Sequence, residues 1–113
     1  MPPIFPPKLA PGQTIRVVAP SRSLGIVSKP NRAIANKRFK QMKLHVEFSK
    51  HAEEMDRFAS SSIRSRVEDL HAAFRDPKVN GILTVIGGFN CNQLLKYLDW
   101  NLIKKNPKIF CGY

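Results

Sequence analysis

The stretch that decides the fold reads Gly81-Ile-Leu-Thr-Val-Ile-Gly-Gly-Phe-Asn90. Residues 82–86 form a short apolar run rich in β-branched side chains, which predicts a buried strand. Gly87 and Gly88 follow it, and a double glycine at a strand end predicts a sharp turn whose N–H groups can face a ligand. Asn90 is then predicted to cap a helix that continues to Leu98.

The same alternation of strand and helix patterns extends through the rest of the chain. Helical crossovers between successive strands imply parallel pairing with right-handed connections. The predicted fold is therefore α/β: a three-layer α/β/α arrangement with a mainly parallel, flavodoxin-like sheet. The predicted strands span residues 14–20, 44–48, 82–86 and 108–111, and the predicted helices span about 28–42, 63–74 and 90–98, with a short turn over 99–106.

Two loops are expected to meet at the carboxyl ends of the strands, where sheets of this kind bind their ligands. One is Pro20-Ser21, after the first strand, and the other is Gly87-Gly88. A plain strand-end turn explains Pro20-Ser21 without any direct chemistry. The double glycine alone is compatible with a tight turn that binds no ligand as well as with a binding loop.

Three segments resemble the LD-carboxypeptidase family of serine peptidases, which includes the microcin-immunity hydrolases. The first reads Ile-Gly-Gly-Phe-Asn over residues 86–90 and is similar to the Gly-Gly-aromatic loop of the family. The second and third read Gln-Leu-Leu-Lys-Tyr-Leu-Asp over 93–99 and Asn-Pro-Lys-Ile-Phe-Cys-Gly-Tyr over 106–113. The opening strand and the serine-rich segment before the long helix also resemble the family.

The resemblance implies a hydrolase that cleaves an amide bond next to a terminal carboxylate, in a murein tetrapeptide or a microcin-like peptidyl nucleotide. It implies that Gly87 and Gly88 supply the oxyanion donor, with Phe89 and Asn90 beside the substrate. The family's nucleophilic serine would follow Tyr113, and its glutamate and histidine come from a later domain. We therefore expect no catalytic triad residue in this chain, and an inactive fragment.

The expected domains are a proline-rich arm over residues 1–12 and the N-terminal α/β domain over 13–113, ending just before the nucleophile. The arm is predicted to be extended because residues 1–11 contain five prolines. The alternative is a stand-alone basic α/β module that binds nucleotide or nucleic acid. The net charge of +11 permits such binding, but no nucleic-acid motif accompanies it, so we expect only non-specific contact with nucleic acid.

Composition sets the remaining expectations. Two distant cysteines, Cys91 and Cys111, with no histidine at ligand spacing, predict neither a zinc site nor a required disulfide. His51 and the acidic residues after it are interpreted as a solvated loop, and His71 as a boundary histidine rather than a base. No cofactor or metal is predicted. The start lacks the apolar core of a signal peptide and no segment is long enough to cross a membrane, so we expect a cytoplasmic protein without membrane contact.

Three further expectations concern packing. Ile34, Ala35, Phe39 and Met42 are predicted to pack on the sheet, leaving a basic outer face on the first helix. Lys43, where the family usually has glycine, suits a left-handed helix end poorly. An exposed strand over residues 108–111 predicts self-association, as a homodimer or by exchange of a segment.

Overall fold

The computed structural model of the protein describes residues 2–112. The expectation that the chain ends just before the nucleophile concerns Tyr113, which lies outside these residues. The strands and helices follow the predicted order. They are β1 (Thr14–Val18), α1 (Lys29–Gln41), β2 (His45–Phe48), α2 (Ile63–Arg75), β3 (Gly81–Thr84), α3 (Trp100–Lys105) and β4 (Ile109–Cys111), with 3-10 helices at Leu24–Ile26 and Cys91–Tyr97.

The four strands form one parallel sheet in the order β2-β1-β3-β4. β1 lies at the centre of this order, with Ile15 opposite both Val46 of β2 and Gly81 of β3. The chain thus builds the sheet outward in both directions from its first strand. This confirms the predicted α/β fold with a parallel sheet.

Alternation along the strands gives the sheet two covered faces. Val18 and Ile82 belong to the main core, which includes Leu70, Ala73, Phe74, Val79 and Leu94. Their neighbours Val17 and Leu83 point the other way and line a groove beneath α1. Helices therefore lie on both sides of the sheet, as the three-layer arrangement requires.

The long helix α2 carries the main core. Its N-cap is Ser62, whose side chain accepts a hydrogen bond from the N–H of Ser65. Leu70 and Phe74 are buried, and Ile63 and Val67 pack against the core at its border. These four residues recur at helical spacing in the sequence and form one apolar stripe. Lys108 donates from Nζ to the carbonyl oxygens of Ala73 and Asp76, so that a cation stabilises the C-terminal end of the helix.

Helix α1 departs from the prediction. Ser28 caps it, but none of its residues is buried. Ala35 and Phe39 line the groove of about 130 Å³ between the helix and the sheet, although Ala35 stays exposed. Ile34 and Met42 are exposed outside the groove. The predicted packing of Ile34 and Met42 is wrong because α1 lies over β2, which is an edge strand among the described residues, so the sheet does not extend far enough to cover them.

The turn after α1 has the left-handed backbone that glycine usually provides. Lys43 has a φ of 59°, which costs a residue with a Cβ more than it costs glycine. Its carbonyl oxygen accepts a 2.7 Å hydrogen bond from the N–H of Gly12. That bond ties the end of the proline-rich segment to the helix–strand turn. No helix within residues 2–112 combines the length and the apolar character needed to cross a membrane.

β4 is an edge strand among the described residues, and its outer side is largely open. Cys111 is exposed, because only β3 borders this strand in the described part of the chain. Phe110 stacks on Phe74 of α2 with ring centroids 6.3 Å apart, yet half of its surface stays exposed. An exposed strand edge with an apolar side chain is a template for pairing with another chain.

We predict that Phe110→Lys weakens self-association of the protein, because it places a charge at the open edge of β4. Sedimentation velocity over a range of concentrations at moderate salt measures the effect. The matched control is Leu95→Lys, which introduces the same charge at an equally exposed apolar position away from the strand. A wild-type protein that remains monomeric at every concentration would contradict the prediction.

Candidate active site

The loops after β1 and β3 meet at the carboxyl edge of the sheet. β1 and β3 are neighbours, but β1 leads into α1 on one face and β2 leads into α2 on the other. A crevice forms at the carboxyl edge where the connections from the strands go to opposite faces of the sheet. Sheets of this kind usually bind their ligands in that crevice. Ser21 and Gly88 face each other across this point.

Position 88 requires a glycine because Ser21 packs closely against it. A Cβ added there would lie 2.0 Å from Oγ of Ser21 and 3.1 Å from its Cβ. The backbone at Gly88 does not need the left-handed region, since Gly12 is the glycine with positive φ among the described residues. The N–H of Gly88 has no acceptor within residues 2–112, so this donor is free to face a ligand.

Asn90 corrects the sequence prediction. It precedes the 3-10 helix Cys91–Tyr97, but its side chain makes no capping hydrogen bond. It is buried, and its Oδ1 accepts a 2.6 Å hydrogen bond from Oγ of Ser21 while its Nδ2 donates to Oγ of Ser60 at 2.9 Å. Asn90 therefore joins the loops after β1, before α2 and after β3, and these tertiary partners displace the local cap.

Arg66 of α2 holds the same three loops from beneath. Its guanidinium donates to the carbonyl oxygens of Pro20, Ser61 and Asn90 at 3.0–3.2 Å. A fourth hydrogen bond goes to Oε1 of Gln93 at 2.9 Å. Burial lowers the pKa of the Arg66 guanidinium, but four oxygen acceptors stabilise its charge.

Arg66 is not among the residues predicted for the site, although the sequence contains a signal for it. Arg66 follows Ile63 by three residues and precedes Leu70 by four, so it lies on the inward face of α2. A buried charge on such a face needs specific partners. Here the partners are backbone carbonyls of loops that are distant in sequence, and periodicity alone does not reveal them.

The other predicted site residues lie at the surface of the edge. Phe89 is 80% exposed. The carbonyl oxygen of Gly87 accepts a 3.0 Å hydrogen bond from Nε of Arg22, which fixes the direction of this peptide group. The structure thus brings Gly87, Gly88, Phe89 and Asn90 together in one loop, which we call the glycine loop, with only Asn90 anchored in the interior.

The histidines serve other contacts. His51 pairs through Nδ1 with Glu54 and through Nε2 with Glu68, which ties the loop after β2 to α2. Nε2 of His71 accepts the N–H of Asp99 at 2.9 Å. Within residues 2–112 no histidine ring is hydrogen-bonded to a serine or cysteine, and no three metal-ligating side chains form a cluster. Cys91 is a free, exposed thiol.

The family model of the LD-carboxypeptidase N-terminal domain matches residues 15–113. The chain belongs to this family. The matched segment contains all of β1 except Thr14, the loops after β1 and before α2, the glycine loop and β4. The family membership therefore covers the whole candidate site.

Relatives of this LD-carboxypeptidase-family chain are much longer than the chain itself. YocD of Bacillus subtilis, whose name describes a carboxypeptidase, is 49% identical over 110 residues, which are 97% of this chain and 34% of YocD. The microcin C7 self-immunity protein MccF of Escherichia coli is 32% identical over 112 residues, 98% of this chain and 32% of MccF. The chain spans about a third of the length of the curated relatives it matches.

Solved structures show the same fold. The crystal structure of an MccF-like protein from Bacillus anthracis superposes with a TM-score of 0.97 at 62% identity, covering 98% of this chain and 34% of that chain. MccF in complex with aspartyl sulfamoyl adenosine superposes with a TM-score of 0.87 at 30% identity, covering 98% of this chain and 33% of that one. The LD-carboxypeptidase fold is thus shared over nearly the whole chain.

We predict that Gly88→Ala destabilises the LD-carboxypeptidase domain by about 1–3 kcal/mol, because the new methyl group overlaps Ser21. In a Ser21→Gly background the same change should cost much less, since Oγ and Cβ of Ser21 are gone. Urea unfolding of the two single variants and the double variant measures this coupling. Gly81→Ala, whose Cβ would have no neighbour nearer than 3.4 Å, is the control. Equal costs in both backgrounds would contradict the close-packing argument.

A second prediction concerns pH. The hydrogen bond to Glu54 raises the pKa of His51 above 6.5, and the same bond lowers the pKa of Glu54 below 4.5. Because the pKa of His51 is raised in the folded state, protonation of its ring stabilises the fold. This contribution is fully present below pH 6.5 and is lost as the pH rises through the pKa of the folded state. The lowered Glu54 pKa stabilises the fold above pH 4.5 and is lost on acidification.

The stability difference between wild type and His51→Gln should therefore be largest between pH 4.5 and 6.5. Urea midpoints measured across that range and on both sides of it provide the comparison. His45→Gln, which alters an exposed histidine of β2, serves as the matched control. A pH-independent difference for His51→Gln would show that the ion pair does not contribute in this way.

Proposed function

We propose that this chain forms the N-terminal portion of a serine carboxypeptidase-like hydrolase that cleaves an amide bond next to a terminal carboxylate. The observation that carries the proposal is the fixed glycine loop at the carboxyl edge of the sheet, beside β4. Tertiary hydrogen bonds anchor this loop through Asn90, while the N–H of Gly88 has no acceptor within residues 2–112.

In this proposal Gly87 and Gly88 donate to the oxygen that becomes negative in the tetrahedral intermediate. Backbone donors stabilise that charge well when they are held in place before the reaction begins. Asn90, Ser21 and Arg66 supply the rigidity, since each is buried and hydrogen-bonded. Phe89, an exposed residue of the glycine loop, is proposed to contact the substrate.

The nucleophile and the base are assigned to segments of the family that lie outside the matched third. Acyl transfer needs a nucleophile hydrogen-bonded to a base, and residues 2–112 contain no serine or cysteine paired with a histidine. Residues 13–113 are proposed to be the N-terminal α/β domain and residues 1–12 an arm. The chain by itself is proposed to be inactive.

Two substrate classes fit the proposal. One is a murein tetrapeptide, and the other is a microcin-like peptidyl nucleotide, which agrees with the binding of aspartyl sulfamoyl adenosine by MccF. We place the reaction in the cytoplasm, where either substrate would be met. The relatives reported above give no support to the alternative of a stand-alone nucleic-acid-binding module, and contact with nucleic acid is expected to be non-specific.

The 113-residue chain alone should not hydrolyse murein tetrapeptide or an aminoacyl sulfamoyl nucleotide above the buffer rate. The physical reason is that the described residues do not assemble a nucleophile with a base. Mass spectrometry of the two substrates after prolonged incubation provides the measurement. Turnover by the chain that disappears in Gly88→Pro would contradict the division of roles.

The activity itself is tested by a chimera in which residues 1–113 replace the matching third of YocD. We expect the chimera to release the terminal residue from one of the two substrate classes. Gly88→Pro in the Ser21→Gly background, where the overlap with the Ser21 side chain is absent, removes the donor and should lower kcat by about 100-fold or more relative to Ser21→Gly alone. Asn92→Ala, an exposed change nearby, is the control. A folded chimera that cleaves neither substrate, although YocD cleaves one of them, would overturn the proposed function.

A further inference from the structure

A recess of about 350 Å³ lies in front of the N-terminal end of α2. The serine turn (Ser60, Ser61 and Ser62) forms its back, and Phe58 and Phe89 stand on its rim. Both phenylalanines are exposed, so the rim is apolar while the back is polar. The recess adjoins the glycine loop but contains neither Gly87 nor Gly88 in its lining.

The end of a helix opens into this recess. α2 has 13 residues and begins at Ile63, which lines the recess. The N–H of Ser65 and that of Arg66 are satisfied by Oγ and the carbonyl oxygen of Ser62. The N–H groups of Ile63 and Arg64 have no acceptor within residues 2–112. Such donors carry the positive end of the helix dipole.

A buried hydroxyl in the wall of the recess also lacks a partner. Ser61 is only 3% exposed, and its Oγ has no hydrogen-bond partner among the described residues. Ser60 and Ser62, by contrast, accept hydrogen bonds from Asn90 and Ser65. A buried polar group without a partner is rare in proteins and calls for a ligand or a water molecule.

The charges around the recess select the kind of ligand. Arg66 lies at its back and already donates four hydrogen bonds to the protein. Asp56 lines the recess as well, and its Oδ1 accepts the N–H groups of Phe58 and Ser60. Arg66 offsets the charge of Asp56, and the guanidinium of Arg57 lies over the ring of Phe58 at the rim, 5.0 Å from its centroid. Among the described residues, no unengaged arginine or lysine lines the recess itself. A doubly charged phosphate would need such a residue, whereas a carboxylate requires only a few donors.

We propose that this recess binds the terminal carboxylate of a peptide, with Oγ of Ser61 and the N–H groups of Ile63 and Arg64 as donors. The apolar rim then contacts the side chain of the terminal residue. The assignment of a peptide as ligand rests on the proposed function, which requires a substrate with a terminal carboxylate. The binding step itself needs no catalytic residue and is measurable on this chain.

The test is an NMR titration of the ¹⁵N-labelled chain with N-acetyl-D-alanine at constant ionic strength. Saturable shifts of the Ile63 and Arg64 amide resonances are expected with the acid and not with N-acetyl-D-alanine amide. The N-terminal end of α1, capped by Ser28, is an internal control for non-specific attraction of anions to a chain of charge +11. Equal shifts at Lys29, which holds the position in α1 that Ile63 holds in α2, or equal binding of the amide, would overturn the proposal. Tighter binding of inorganic phosphate would also overturn it.

Two variants identify the donors. Ser61→Ala should weaken binding of the acid about tenfold, because a hydrogen bond to a charged group is lost. Ser49→Ala, at another buried serine outside the recess, should leave it unchanged. Asp56→Asn should tighten binding, since it removes a negative charge that faces the carboxylate. No effect of Ser61→Ala, or weaker binding in Asp56→Asn, would contradict the assignment.

The result is separable from the proposed function. If the chimera with YocD fails to hydrolyse its substrates while the recess binds the acid and not the amide, the proposed reaction is wrong and the carboxylate site stands. If the chimera is active while the recess does not distinguish the acid from the amide, the reaction stands and the site is wrong.

Discussion

The buried guanidinium of Arg66 is the constraint on which the carboxyl edge of the sheet depends. It reaches the loops after β1, before α2 and after β3, and donates to a carbonyl oxygen in each. Removing one partner from a buried charge leaves that charge poorly compensated, and the cost is far larger than for a surface ion pair. The three loops are therefore coupled: a displacement of one weakens the hydrogen bonds that hold the others.

A second set of hydrogen bonds, between uncharged side chains, also couples these loops. Asn90 joins Ser21 and Ser60 with its amide group, and Gly88 lets Ser21 come close enough to do so. Buried networks in which every member is satisfied specify a single arrangement, because each alternative leaves a polar group unpaired. This accounts for a rigid glycine loop in a small domain whose outer helix α1 buries none of its residues. Rigidity is concentrated where the loops of the sheet meet.

Membership of the LD-carboxypeptidase family gives these features a common purpose in the proposed reaction. The free N–H of Gly88 and the recess at the start of α2 lie on the same edge, one suited to a developing oxyanion and the other to a carboxylate. The chain spans about a third of its curated relatives, and residues 2–112 assemble no nucleophile with a base. In the proposed reaction this domain supplies donors and rigidity, while the bond-making groups belong to other parts of the proteins of this family.

Local patterns in the sequence determined the order of the elements, the parallel sheet, the inward stripe of α2 and the position of the glycine loop. These features follow from periodicity and from the geometry of crossover connections, which act over short stretches of chain. The sequence also contained a signal for Arg66, because a charged residue stands on the inward face of α2. It did not show which groups Arg66 binds. Only the tertiary structure turned Asn90 from a helix cap into a bridge, because Ser21 lies 69 positions away. Likewise, only the tertiary structure showed that Ile34 and Met42 are exposed, because burial depends on what lies opposite a helix. No local pattern shows that α1 lies over the edge of the sheet.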